Sequence, residues 1–201
     1  MADILYTYKN QLYANITNKC DCRCTFCIRF QKDGIGDADT LWHKIDPTQQ
    51  EILDAIDQYD DGKLKSYEEF VFCGYGEPTC SLDILLTTAK YVKEKYGLKI
   101  RVNTNGLGNL FNQRDIIPEL KEVIDSVSIS LNAPNEAEYN EVTRPQFSNA
   151  FQAMQDFAKE CKEAGIQTQL SVVDVLSKED IEKSQAIADQ AGVYLKVRHF
   201  S

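Results

Sequence analysis

Short apolar runs alternate with amphipathic stretches along almost the whole chain, and this alternation limits the fold more than any other feature of the sequence. Six runs read as strands: 12–17, 70–73, 99–103, 126–131, 168–173 and 193–198. Helical patterns lie between them. Pro47 sits just inside the start of one, whose stripe of Ile52, Leu53 and Ile56 runs to about Tyr59 before Asp60-Asp61-Gly62 stops it. Ser81 is a good N-cap for a second, closed by Gly97; others cover residues around 116–124, about 149–164 before Gly165, and about 178–191 before Gly192. The pattern predicts an α/β protein with a parallel sheet. A partial (β/α)6 barrel and a doubly wound open sheet both satisfy it. The 201 residues, 43% hydrophobic and 26% charged, suit a single domain over 1–201 with a full core.

The chemistry is concentrated at the end of the first predicted strand. Residues 20–27 read Cys-Asp-Cys-Arg-Cys-Thr-Phe-Cys, four thiols on one short loop. Thiolates this close bind soft metals, chiefly zinc or iron–sulfur clusters. A single-site zinc centre wants a second close pair downstream, and none follows Cys27 at such spacing. A disulfide framework needs an oxidising compartment, yet the Met1 region has no basic segment followed by an apolar core.

Cys20-x3-Cys24-x2-Cys27, with the aromatic Phe26 before the last thiol, resembles the radical S-adenosylmethionine (radical SAM) superfamily. The resemblance implies an open six-stranded (β/α)6 barrel of parallel strands. It implies that Cys20, Cys24 and Cys27 hold three irons of a [4Fe–4S] cluster while the fourth iron chelates S-adenosylmethionine. It further implies an oxidoreductase-type reaction: reductive cleavage of that cofactor to methionine and a 5′-deoxyadenosyl radical, which abstracts hydrogen from an unidentified substrate. Cys22 falls at the variable position of the motif, as a bystander. The segments Asn15-Ile-Thr-Asn18, Phe72-Cys-Gly-Tyr-Gly-Glu-Pro78, Arg101-Val-Asn-Thr-Asn-Gly106, Ser128-Ile-Ser-Leu-Asn-Ala-Pro134 and Val197-Arg-His199 are similar to the small radical SAM family associated with TatD-type hydrolases.

If the strands are parallel, their C-terminal ends share one rim. By the resemblance, Gly76 and Glu77 stand where the superfamily carries a Gly-Gly-Glu motif that binds the methionyl amino group through backbone carbonyls, with Tyr75 replacing the first glycine. Asn103, Thr104, Ser130 and Asn132 fall where ribose and carboxylate are held, and Val173 and His199 complete the cofactor set. Cys73 and Cys161 read as small buried hydrophobes. Cys22, Cys73, Cys80 and Cys161 lack the pair spacing of a second cluster. Arg144 reads as a surface residue, and Asp57, Asp60 and Asp61 as a solvated helix end.

A net charge of -9 argues against nucleic acid as a partner, and no apolar run approaches the roughly 20 residues that span a bilayer. Together with the cysteine usage this predicts a cytoplasmic protein. Lys19, Arg23, Arg29 and Lys32 make the cysteine neighbourhood basic against Asp21 and Asp33, so an acidic one-electron donor of flavodoxin or ferredoxin type is expected to dock there. With no capping domain after the sixth strand, a protein, peptide or second copy is expected to complete the site. Two readings compete: an iron–sulfur electron carrier or sensor with Cys22 as fourth ligand, and a zinc-stabilised interaction domain.

Overall fold

The structure is a computed structural model and describes residues 2–59, 63–174 and 176–199. In chain order the elements are β1 (Leu5–Tyr8), β2 (Gln11–Ala14), α1 (Gln49–Gln58), β3 (Glu69–Phe72), α2 (Leu82–Tyr96), β4 (Lys99–Thr104), α3 (Gly108–Phe111) and α4 (Ile117–Val123). They continue with β5 (Ser126–Ser130), α5 (Glu136–Thr143), α6 (Ala150–Glu163), β6 (Gln167–Val173), α7 (Lys178–Ala191) and β7 (Tyr194–Arg198).

All six expected strands form, although the first stops at Ala14, where Asn15 turns its amide to other segments. A seventh, β1, precedes them. It pairs antiparallel with β2 through a two-residue turn at Lys9 and Asn10, both with positive φ (48° and 60°), the hand that suits twisted strands. From β2 to β7 every neighbouring pair is parallel, and the sheet order follows the chain order. A doubly wound sheet reverses its order at a switch point. This one never does, which is the connectivity of a partial barrel; β1 and β7 do not pair, so the sheet stays open.

The pleat gives the sheet two unlike faces. Leu12, Phe70, Phe72, Ile100, Val102, Val127, Ile129, Leu170 and Leu195 pack with Ile52, Leu85, Met154 and Phe157 of the helices in the main core. The other face carries no helix layer, and a smaller cluster of Tyr6, Tyr13, Leu41, Val71 and Tyr75 fills its β1–β3 side. In a partial barrel the helices form the outer layer, so this helix-free face is the inward one.

Two helix starts differ from expectation. Pro47 lies before the first helix, not inside it, because Thr48 is the N-cap: its hydroxyl accepts from Glu51 N, and its own N–H donates to the Glu51 carboxylate. Ser81 makes no cap bond. The chain enters α2 through a 3-10 turn, Pro78–Ser81, capped by the Glu77 side chain. Gly97 and Gly192, left-handed at φ 70° and 65°, end α2 and α7 as the sequence suggests. Asp60, Asp61 and Gly62 lie outside the described residues.

Candidate cofactor site at the rim of the sheet

The thiol loop leaves β2 at the C-terminal edge of the sheet and is held from three sides. Upstream, Asn15 is fully buried, donating to the Leu41 carbonyl (2.8 Å) and accepting from Tyr75 N (3.2 Å). Thr17 and Asn18 both donate to Asp46 (2.6 and 2.9 Å). From below, the Gly74–Gly76 turn presses against the loop: a Cβ on Gly76 would lie 2.3 Å from the Thr17 carbonyl oxygen and 2.6 Å from that of Lys19. Only glycine permits this approach. Glu77 N then donates to the Lys19 carbonyl (2.7 Å). From the far side, Arg23 N and Thr25 N donate to the carbonyls of Thr143 and Val142 at the end of α5 (2.9 and 2.8 Å), and Gln146 N donates to that of Asp21 (2.9 Å).

Glu77 ties these parts together. Its buried carboxylate accepts from Thr79 N and Oγ1 (3.1 and 2.8 Å), Thr104 Oγ1 (2.7 Å) and Asn105 N (2.7 Å). Burial, with Asp21 nearby, pushes its pKa up to about 7. Asn105 in turn donates its amide to Asp21, close to the Cys22 sulfur (3.5 Å). This residue was not singled out in the sequence, although it belongs to the quoted Asn103–Gly106 turn; its spacing carried no signal of a tertiary role.

Cys20, Cys24 and Cys27 are partly exposed free thiols, whereas Cys22 is buried among the core side chains. Burial and the nearby Glu77 push Cys20 up to about 12, and burial raises Cys27. Cys24 is lowered because the Cys22 thiol hydrogen-bonds to it, and the same bond, with burial, raises Cys22. Among the described residues no three Cys, His, Asp or Glu side chains converge as donors to one metal ion. A cluster makes no such demand, since each thiolate takes its own iron.

The remaining expected site residues divide by face. Asn103 and Ser130 stand on the inward face of β4 and β5, with Val173 on the same face of β6. Asn103 lies against the Cys73 thiol. Thr104, one pleat on, points to the helix side and is engaged by Glu77. Phe26 is partly buried between Cys24 and Cys27. Asn132 follows β5 in a left-handed conformation (φ 62°). His199 is not gathered in: its side chain is 91% exposed, with Nδ1 2.6 Å from Asp174 Oδ2. Tyr75, the departure from the glycine motif, is buried, stacks edge-on against Trp42 (5.4 Å) and donates its hydroxyl to the Lys32 carbonyl.

The residues present fit the group that the motif implies. Three accessible thiols of one loop can each take an iron, while the fourth thiol is turned into the core. At the C-terminal ends of β4 and β5, Asn103 Oδ1 and Asn132 Oδ1 are buried acceptors without a hydrogen-bond partner. Such atoms are costly unless a ligand supplies the donor, as hydroxyl or ammonium groups of an adenosyl amino acid can.

Comparisons with known proteins agree with this arrangement. A family model described as Radical SAM superfamily matches residues 14–189. No curated protein matches the sequence significantly. Among solved structures, Streptococcus suis SuiB bound to the precursor peptide SuiA superimposes with a TM-score of 0.70 at 16% identity, over 98% of this chain and 40% of that one. SuiB bound to S-adenosylmethionine gives 0.67 at 18%, over 97% and 41%. A radical SAM methyltransferase from Sphaerobacter thermophilus gives 0.60 at 15%, over 97% and 68%. The chain thus spans about two fifths of the SuiB structures, and at these identities the likeness is one of fold. With the family match covering most of the sequence and the cysteine loop placed at the sheet rim, the chain belongs to the Radical SAM superfamily.

Proposed function

We propose that the protein is a radical SAM enzyme whose Cys20, Cys24 and Cys27 hold a [4Fe–4S] cluster that binds S-adenosylmethionine. The observation that carries this reading is the division among the four loop thiols: three partly exposed, and Cys22 buried against the core. Three ligands leave a coordination position for a cofactor, where four would close it. When bound, the cluster and cofactor supply a 5′-deoxyadenosyl radical. The chain's own residues position the cofactor. Gly76 brings its backbone against the loop, and Asn103 and Asn132 offer acceptors to the cofactor's donors.

In this reading residues 1–201 form one radical SAM domain, of the TatD-associated kind by the motifs that surround the cysteines, acting in the cytoplasm. The target is a protein or peptide, which the peptide-bound SuiB neighbour and the open sheet support. An acidic flavodoxin- or ferredoxin-like donor meets the exposed Arg23, Lys19 and Lys32. Arg29 contributes less there, since it lies over Phe30 and Trp42 (4.8 and 5.9 Å).

Electron paramagnetic resonance on anaerobically reconstituted, dithionite-reduced protein tests the proposal. A [4Fe–4S]⁺ signal that changes when S-adenosylmethionine is added, with 5′-deoxyadenosine accumulating, is the expected result. A cluster signal indifferent to the cofactor would replace it with the electron-carrier reading.

A further inference from the structure

Five large apolar side chains are exposed among the described residues, and three of them, Phe30 (67%), Trp42 (38%) and Ile45 (87%), sit beside the thiol loop. Scattered exposed apolar residues are ordinary; a group of them is not. Phe30 lies in a short 3-10 turn, Ile28–Phe30, that Cys27 caps, and its N–H donates to the Cys27 carbonyl (3.1 Å). Arg29 joins the rings: its guanidinium carbon lies 4.8 Å from the Phe30 ring centre and 5.9 Å from that of Trp42, whose Nε1 donates to the Arg29 carbonyl (3.2 Å). Ile45 is placed by its neighbours. The His43 carbonyl and the Asp46 carboxylate both accept from Asn18 (2.7 and 2.9 Å), whose own carbonyl faces Arg29 Nη1 at 3.5 Å. The three apolar residues thus share the surface around Arg29 and Asn18.

The rim of this patch is basic in a chain that carries -9. Lys19 follows Asn18, Lys32 follows the Phe30 turn and Lys44 precedes Ile45, and all three are exposed. Of the carboxylates nearest in sequence, Asp21 is buried and Asp46 is turned to Thr17 and Asn18, which leaves Asp33. An apolar centre within a charged rim is the anatomy of a docking surface. Aromatic anchors hold a partner once it has arrived, while rim charges set how fast it arrives. A second copy pairing symmetrically through the patch would set lysine against lysine, so charge favours an acidic partner of another kind.

We propose that Phe30, Trp42 and Ile45 are the apolar anchor on which an acidic one-electron carrier seats an apolar edge, its carboxylates meeting Lys19, Lys32 and Lys44. Calling the occupant an electron carrier rests on the cluster reading above; the docking surface itself does not.

Trp42 is the only tryptophan in the chain, so a label there reports on this patch alone. The reconstituted protein carrying 5-fluorotryptophan is titrated with unlabelled oxidised flavodoxin or an acidic ferredoxin, and its single fluorine-19 resonance is followed. The resonance should shift saturably with at least one of the two carriers, and less readily as salt rises. Phe30→Ser should raise the half-saturating concentration about tenfold, the effect of losing one buried aromatic anchor, and leave the salt dependence as it was. Lys44→Glu should instead flatten the salt dependence. A resonance that neither carrier moves would overturn the site, and so would an equal shift with basic cytochrome c. A shift that grows with protein concentration alone would make the patch a self-association surface and overturn it as well. Binding is read without turnover, so absence of a cluster or of deoxyadenosine would sink the enzyme reading and leave the docking result standing.

Discussion

Glu77 shows how much one buried side chain can hold. Its carboxyl lies near pH 7 against an ordinary 4.5, so the folded protein keeps a proton that the unfolded chain releases above about 4.5. The stability tied to this group is therefore full below pH 4.5 and is lost as pH rises toward 7. In urea unfolding of cluster-free protein, the wild type should lose stability across that window relative to Glu77→Gln, and a relative gain would contradict the assignment. At pH 8 the same substitution should cost about 1–3 kcal/mol, because an amide nitrogen would face the Asn105 N–H. Cys22 offers the sharper functional test. Cys22→Ser should retain iron and the cofactor-sensitive signal while Cys24→Ser loses both, and iron content per chain decides it. The spacing of the three proposed cluster ligands was legible in the sequence because it is local. The roles of Thr104, Asn105 and Glu77 were not, since each depends on partners on other elements.

At the scale of elements, the expected strands and the long helices were found where periodicity placed them, most closely α7, whose bounds coincide. Three elements were missed: β1, the four-residue α3 and α5. β1 carries Leu-Tyr-Thr-Tyr, too short to show an alternation, and exists because β2 offers it an edge. α5 buries only Tyr139 and Thr143, so its apolar stripe is too thin to read. Yet α5 supplies the carbonyls that pin Arg23 and Thr25. Its start depends on Asn135, whose Oδ1 accepts from Glu138 N (3.0 Å). Asn135→Ala should cost about 1 kcal/mol of stability. It should also speed loss of the cluster's visible absorbance to a chelator, at a residue that touches no cysteine; unchanged kinetics would separate α5 from the site.

For the whole molecule, an acidic chain with a basic cysteine edge should recruit its electron donor by steering. Arg23→Glu combined with Lys32→Glu should slow cluster reduction by flavodoxin about tenfold at low salt and flatten its salt dependence, as stopped-flow absorbance would record. The choice of a barrel over a doubly wound sheet could not be made from spacing, because both use the same alternation; strand order made it. That order also sets a schedule for synthesis. Each strand joins one already made, so the sheet can grow in step with the emerging polypeptide. The thiol loop is the exception. Thr25 must wait for Val142, 117 residues later, before its last anchor exists. A ribosome-bound chain would thus display the downstream half of its cysteine loop without this anchor until α5 has emerged.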